Sequence, residues 1–159
     1  MKKHSGFTIF ELTLTIVITS IVFGIVGVFM AKPILLFTEI SGQSSAANQL
    51  STALNVIAND FSRYTGGISV NSYAANTVSV RFNITGNVAI TYTCDFNANQ
   101  VYRISGTQGN QTLLTNLNSC YFRNSVSADL KTLFLSVRLG INQNNMPVTL
   151  TEVLNVPNV

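Results

Sequence analysis

The feature that most constrains this 159-residue chain is one long apolar segment near its N-terminus. The segment runs from Phe7 to Ala31 and carries a single charge, Glu11. As a helix rising 1.5 Å per residue it is roughly 37 Å long, whereas the hydrocarbon layer of a bilayer is about 30 Å thick. A buried core helix is the ordinary alternative, but cores rarely need so long an uninterrupted run. The sequence therefore predicts a membrane-spanning helix over 7–31.

The charge distribution bears on topology and on partners. The net charge is +3, and only 9% of the residues are charged. Lys2 and Lys3 precede the apolar segment, and positive charge before a span favours a cytoplasmic N-terminus with the body of the chain on the periplasmic side. No basic stretch interleaved with aromatic residues follows, so nucleic acid is not an expected partner.

Glu11 lies in this apolar segment, where an ionised side chain at the bilayer centre costs roughly 2.5–3.5 kcal/mol. The residues alone leave two interpretations open: an acid tolerated at the membrane interface, or a carboxylate that awaits a partner charge. Hydroxyl and small residues at helical spacing favour packing against other helices, with hydroxyls able to bond across the contact. They are Thr8, Thr15, Thr19, Ser20, Gly24, Gly27 and Ala31.

The stretch KKHSGFTIFELTLTIVITSIV resembles the class III leader and N-terminal helix of type IV pilins and type II secretion pseudopilins. Those proteins have a short basic leader, then Gly, Phe, Thr, an aliphatic residue, any residue, Glu and an apolar run. The resemblance implies that a prepilin peptidase cleaves between Gly6 and Phe7 and N-methylates Phe7. It also implies that Glu11 pairs with the Phe7 amine of a neighbouring subunit, which would offset the cost of burying either charge.

Beyond the span, the sequence predicts a second, amphipathic helical half over 32–66. Lys32-Pro33 ends the span, and the proline predicts a kink. An apolar stripe follows at steps of three and four residues, and Gly66-Gly67 predicts the helix end. The stripe consists of Leu50, Leu54, Ile57, Phe61 and Tyr64. Its main interpretation is packing on a globular domain over 67–159.

From Ile68 onward the apolar period changes to two, which predicts an antiparallel sheet. Strands are expected over 78–84 and 88–94, joined by a two-residue type II′ turn at Gly86-Asn87. Further strands are expected over 100–105, 133–139 and 148–156. Glu152 falls among apolar positions of the last one, which indicates a bulge or a sheet edge. The Asn-rich stretches 97–100 and 142–145 are expected to be surface loops.

Cys94 and Cys120 are the two cysteines of the chain. A disulfide between them is favoured over two buried thiols because the predicted periplasmic location is oxidising. The segments ITYTCDFNANQVYRISG, LLTNLNSCYF and VLNVPNV also resemble the C-terminal half of MSHA (mannose-sensitive haemagglutinin) minor pilins, the MshO-like group, which is related to PilW- and GspJ-like minor subunits.

Catalysis is not expected. The one histidine, His4, lies in the predicted leader, and no phosphate-binding loop, metal motif or cofactor motif is present. The acidic residues of the body are scattered, with no paired carboxylates in sequence.

The sequence therefore predicts an α+β fold in four parts: a leader over 1–6, an assembly helix over 7–31, an amphipathic helix over 32–66 and a β domain over 67–159. The function implied by the resemblance is that of a minor pilin in filament assembly or at the tip. Its expected partners are other pilin subunits, prepilin peptidase, the inner-membrane assembly platform and membrane lipid. The alternatives are a type II secretion pseudopilin and a single-pass anchored binding domain that enters no filament.

Overall fold

The computed structural model describes residues 8–74, 76–106 and 109–158. One long helix is followed by eight antiparallel strands, so the α+β prediction is confirmed. The chain divides into two compact units, with the boundary after Ser41. The elements are α1 Ile9–Phe61, β1 Tyr64–Ala74, β2 Thr77–Ile84, β3 Val88–Asp95, β4 Gln100–Ser105, β5 Gly109–Thr115, β6 Leu117–Val126, β7 Thr132–Gln143 and β8 Met146–Pro157.

Helix α1 continues through Pro33, so Lys32-Pro33 is not a helix end. Proline removes one backbone donor, and the turns on either side keep their own hydrogen bonds. A kink at this position stays a prediction. The C-terminal end of the helix was predicted wrongly: α1 ends at Phe61, and Gly66-Gly67 lies within strand β1. Both glycines have positive φ where the β1–β2 register shifts, so they serve a strand irregularity instead of a helix cap.

The strands form two sheets, where a single sheet was expected. Strands β1 to β5 follow one another in the first sheet, and β6, β7 and β8 form the second. The chain passes from β5 to β6 through the single residue Asn116, whose φ of 59° is left-handed. Asparagine tolerates that conformation better than most residues, so this position turns the chain out of the first sheet.

The predicted strands are confirmed with adjusted ends. The β4 prediction is confirmed at both ends, whereas β7 and β8 are longer than expected. Glu152 lies on β8, an edge strand, so the prediction of a sheet edge is confirmed. The pairing of β8 with β7 has no register shift, so the alternative prediction of a bulge was wrong. Sequence reasoning missed β1, β5 and β6. Strand β5 has a mostly exposed, polar sequence, which hides the alternation by which a half-buried strand is recognised.

The turn between β2 and β3 also differs from its prediction. Ile84 pairs with Val88, so the loop has three residues, and both Gly86 and Asn87 have left-handed φ angles of 88° and 58°. The cause is Thr85, whose backbone nitrogen donates to the Arg63 carbonyl at 2.9 Å. That hydrogen bond draws Thr85 out of the ladder.

The Asn-rich segments are turns for a conformational reason. Left-handed φ occurs at seven described non-glycine positions, and six of them are asparagine: Asn76, Asn87, Asn99, Asn116, Asn144 and Asn145. The seventh is Leu130. The predicted loops are shorter than expected, because Gln100 begins β4 and Asn142 still belongs to β7.

One hydrophobic core joins the second half of α1 to the inner faces of both sheets. The predicted helix stripe is buried at Leu50, Leu54, Ile57 and Phe61, whereas Tyr64 belongs to β1. In β2 and β3 the alternating apolar residues point inward as expected. This core fixes which polar side chains are carried inside with the stripe and which sheet face remains in solvent.

Candidate functional site

The most conspicuous surface of the chain is the uncovered first part of α1. Twenty large hydrophobic side chains between Ile9 and Ile40 are between 45% and 85% exposed. The helix is long and apolar enough to cross a membrane, and none of its most apolar 18-residue window is buried. A soluble protein does not leave so large an apolar surface in water. This helix could be a single-pass membrane anchor.

Glu11 has a partner within its own helix. The carboxylate oxygen Oε2 accepts hydrogen bonds from the Thr8 backbone nitrogen at 3.2 Å and from the Thr8 hydroxyl at 3.3 Å. In return, the Glu11 backbone nitrogen donates to the Thr8 hydroxyl at 3.3 Å. This reciprocal pair is a capping box, which satisfies backbone donors that a helix N-terminus otherwise leaves free. Among the described residues, nothing donates to the other carboxylate oxygen, Oε1.

The hydroxyl residues of the span bond within the helix as well. Thr15 and Thr19 donate to carbonyls four residues earlier, at 2.9 and 2.6 Å, and Ser20 donates to the Ile16 carbonyl at 2.8 Å. The expected bonds across to another helix are therefore not needed to satisfy these donors. At Gly24 and Gly27 an added methyl group would meet no atom within 4 Å, so the backbone there is open to close approach.

Gly6 and Phe7, the predicted cleavage and methylation residues, lie outside the described residues. Of the predicted assembly pair, Phe7 and Glu11, the structure describes Glu11. This residue lies about one helical turn after Thr8, the first described residue. Cleavage, methylation and the charge pair therefore stay predictions.

Cys94 and Cys120 form the predicted disulfide, with Cα atoms 6.4 Å apart. Cys94 lies on β3 in the first sheet and Cys120 on β6 in the second. The bond therefore fastens the two sheets to each other. Both residues are buried in the common core.

Sequence reasoning missed a buried ionic cluster around Asp60. Asp60 lies on the apolar stripe of α1 and is 2% exposed. Its Oδ2 accepts hydrogen bonds from the Tyr92 hydroxyl at 2.5 Å and from Arg103 Nε at 2.6 Å. Its Oδ1 accepts a hydrogen bond from Arg63 Nη2 at 2.8 Å. The signal that could have found the cluster is the position of Asp60, three residues after Ile57 on the buried face.

In the Asp60 cluster, the buried carboxylate is paired with arginine guanidinium groups and accepts a tyrosine hydrogen bond. Burial by itself would raise the pKa of Asp60, but hydrogen bonds from Arg103, Tyr92 and Arg63 outweigh burial and hold that pKa below its ordinary value. The hydrogen bond to Asp60 raises the pKa of Arg103. Burial and the nearby carboxylate raise the pKa of Tyr92. At neutral pH the cluster is an ion pair with a neutral tyrosine, and it ties α1 to β3 and β4.

The other carboxylates do not gather into a site. Asp95 caps the turn after β3 by accepting from the backbone nitrogens of Asn97 and Ala98. Asp129 accepts from the Lys131 backbone nitrogen in the β6–β7 turn. Within the described ranges, no group of three His, Cys, Asp or Glu residues could hold a metal ion.

Comparisons of the chain with known protein families, with curated proteins and with solved structures found no match.

Proposed function

We propose that this chain is a minor pilin: a structural subunit that waits in the inner membrane and then enters a type IV pilus, by its resemblance one of the MSHA kind. The observation that carries the proposal is the uncovered apolar part of α1, with its twenty exposed large hydrophobic side chains. Such a surface needs lipid in one state and other apolar helices in the next. The same physical property serves membrane storage and filament assembly.

Glu11 suits a role at a subunit contact because its two carboxylate oxygens are differently engaged. Oε2 caps its own helix through Thr8, while Oε1 accepts no hydrogen bond from another described residue. A neighbouring amine can approach Oε1 without breaking the capping box. The proposed partner is the N-terminal amine of Phe7 in the next subunit, after prepilin peptidase has removed residues 1–6.

The capping box also supports a second candidate, a single-pass anchored domain that enters no filament. In that case Glu11 begins the helix and needs no partner from another chain. The two candidate functions require different chemical properties of the Glu11 side chain. Capping requires only a hydrogen-bond acceptor, whereas an ion pair requires the charge. The type II secretion pseudopilin shares the ion-pair requirement and differs in the filament that it joins.

The test therefore replaces Glu11 with glutamine, which keeps the acceptor and removes the charge. If the charge pair operates, Glu11→Gln is inserted in the membrane normally. Its incorporation into sheared filaments falls at least about tenfold, as does that of Glu11→Ala, because the neighbouring amine is then buried without a partner charge. Glu39→Gln, which removes a carboxylate elsewhere on α1, is the matched control and should assemble normally. Normal incorporation of Glu11→Gln would contradict the charge-pair role.

Mass spectrometry of the membrane-extracted protein tests the processing step. The proposal predicts a chain that begins at N-methylated Phe7 in cells with active prepilin peptidase. An intact chain in those cells, together with normal membrane insertion, would favour the anchored domain.

A further inference from the structure

We propose that the outer face of the second sheet binds an acidic sugar unit, that is, a pyranose ring carrying a carboxylate. This face has a shallow depression formed by β6, β7 and β8, here called the sheet-face depression. Its polar side chains are Ser119, Tyr121, Ser136, Arg138 and Thr151. The inference concerns a ligand of the single subunit and does not depend on whether the subunit enters a filament.

Strand register places these side chains on one face. Tyr121 pairs with Arg138, and Arg138 pairs with Thr151, so the three form a row across the sheet. Neighbouring strands are about 4.8 Å apart, and residues i and i+2 on one strand are about 6.8 Å apart. Ser119 pairs with Gly140 on one side of this row, and Ser136 pairs with Arg123 on the other side. Three strands and two such steps therefore cover about 10 Å by 14 Å, which has room for one pyranose ring with its substituents.

Gly140 shapes one side of the sheet-face depression. A methyl group on this glycine would collide with the Ser119 hydroxyl and would lie 2.9 Å from the Thr149 hydroxyl oxygen. The absence of a side chain lets Ser119 fold down over β7. The Ser119 and Thr149 hydroxyls therefore cover Gly140 at this side of the sheet-face depression.

The polar groups of the sheet-face depression have no partner among the residues that the structure describes. Within the described part of the chain, Arg138 makes no ion pair, and the hydroxyls of Ser119, Tyr121, Ser136 and Thr151 make no hydrogen bond. Glu152 follows Thr151 in sequence, but alternation along β8 places its side chain on the opposite face. In contrast, Arg63 and Arg103 are both paired with Asp60.

Each group selects part of the ligand. Among the described residues, no carboxylate lies on the same sheet face as the Arg138 guanidinium, so charge complementarity favours an anionic group. A carboxylate fits the planar fork of the guanidinium. Four hydroxyls that can both donate and accept match the hydroxyls of a sugar. The Tyr121 side chain is 45% exposed and offers an apolar ring to the C–H face of a pyranose. A glutamate side chain would use Arg138 but would set its aliphatic stem against the hydroxyls.

The binding test uses the full-length chain in phosphatidylcholine nanodiscs, which contain no sugar. Titration calorimetry compares trigalacturonate with neutral galactotriose and with triglutamate. Galactotriose lacks the carboxylate for Arg138, and triglutamate lacks the hydroxyls that the four protein hydroxyls would bind. We therefore expect trigalacturonate to bind at least about tenfold more tightly than either comparison probe. Its affinity should also fall as salt is raised, since the site is exposed.

The matched variants are Arg138→Gln and Arg81→Gln. Both remove one exposed arginine charge, but Arg81 lies on β2 in the other sheet. Arg138→Gln should reduce trigalacturonate affinity at least about tenfold, and Arg81→Gln should leave it unchanged. The proposal would be overturned if trigalacturonate did not bind, if both variants lost affinity equally, or if triglutamate bound equally tightly. Equally tight binding of triglutamate would indicate an acidic protein segment as the partner.

Discussion

Replacing Asp60 with alanine should lower the free energy of unfolding of the β domain by about 3 kcal/mol. The magnitude follows from what the substitution leaves behind. The Arg103 side chain is only 11% exposed, and it would lose the carboxylate that accepts its 2.6 Å hydrogen bond. Removing one partner of a buried ion pair costs about 3–5 kcal/mol, because the other charge stays buried. Since Arg103 retains some contact with water, we expect the lower end of that range.

Loss of the Arg63 ion pair adds little to the destabilisation expected for Asp60→Ala. Its side chain is 49% exposed, so its pairing with Asp60 is worth about 0–1 kcal/mol, as for other surface pairs. Tyr92 contributes more specifically, because its buried hydroxyl donates to the carboxylate at 2.5 Å. Tyr92→Phe removes that hydrogen bond and should cost about 1.5 kcal/mol.

The assay is urea unfolding of the full-length chain in nanodiscs, followed by far-UV circular dichroism, because the chain contains no tryptophan. The double variant Asp60→Leu with Arg103→Met replaces both charges by apolar groups of similar size. It should recover about half of the loss, because the buried Tyr92 hydroxyl still loses its acceptor. Glu152→Ala is the control, because this half-buried carboxylate makes no ion pair with another described residue. A loss below about 1 kcal/mol for Asp60→Ala, or a double variant no more stable than the single one, would refute the reasoning.

Three further results are expected. The Asp60 carboxylate stabilises the fold at pH values above the ordinary aspartate pKa of about 3.9. This stabilisation is lost as the pH falls through the lowered pKa that Asp60 has in the folded chain. Acid titration of the unfolding free energy should therefore show a loss below about pH 4 that the Asp60→Asn variant lacks. Replacing Cys94 and Cys120 with serine opens a bridge between residues 26 apart and should cost about 3.5 kcal/mol in the same urea assay, whereas an unchanged midpoint would contradict the bridge's role. Leu130→Asn should raise the free energy of unfolding by about 0.5–1 kcal/mol, because asparagine tolerates the left-handed backbone conformation of this position better than leucine does. Asn87→Leu should lower the free energy of unfolding by a similar amount. Shifts of the same sign in the two variants would contradict this account.

Leu130 also marks where local sequence rules stop. Six of the seven left-handed non-glycine positions carry asparagine, so turn chemistry predicts most of these turns correctly. Leu130 is 70% exposed and gives no turn signal of its own. The turn is held by the Leu130 nitrogen, which donates to the Ser127 carbonyl, and by the Asn158 side chain, which donates to the Leu130 carbonyl 28 residues away. Only tertiary structure brings Asn158 to this turn.

Short-range periodicity in the amino-acid sequence was sufficient to predict the long helix and several strands. The apolar run identified the long exposed helix, and the alternation around Phe82 identified inward-facing strands. The three-and-four spacing identified the buried face of α1 but extended it to Tyr64, beyond the helix end at Phe61. These patterns are readable because a side chain's direction depends on its own element's helical or strand period. The cysteine count and the predicted compartment also sufficed for the disulfide.

The contacts between distant polar groups depend on tertiary packing. Asp60 reaches Tyr92 across 32 residues and Arg103 across 43, and no local pattern encodes those separations. The division into two sheets at Asn116 likewise depends on how the strands pack, not on any strand's own sequence. Arg138 and Tyr121 become neighbours only through strand register. The physical reason is common to all three: local propensity fixes an element, whereas burial of the shared core fixes its register and its neighbours.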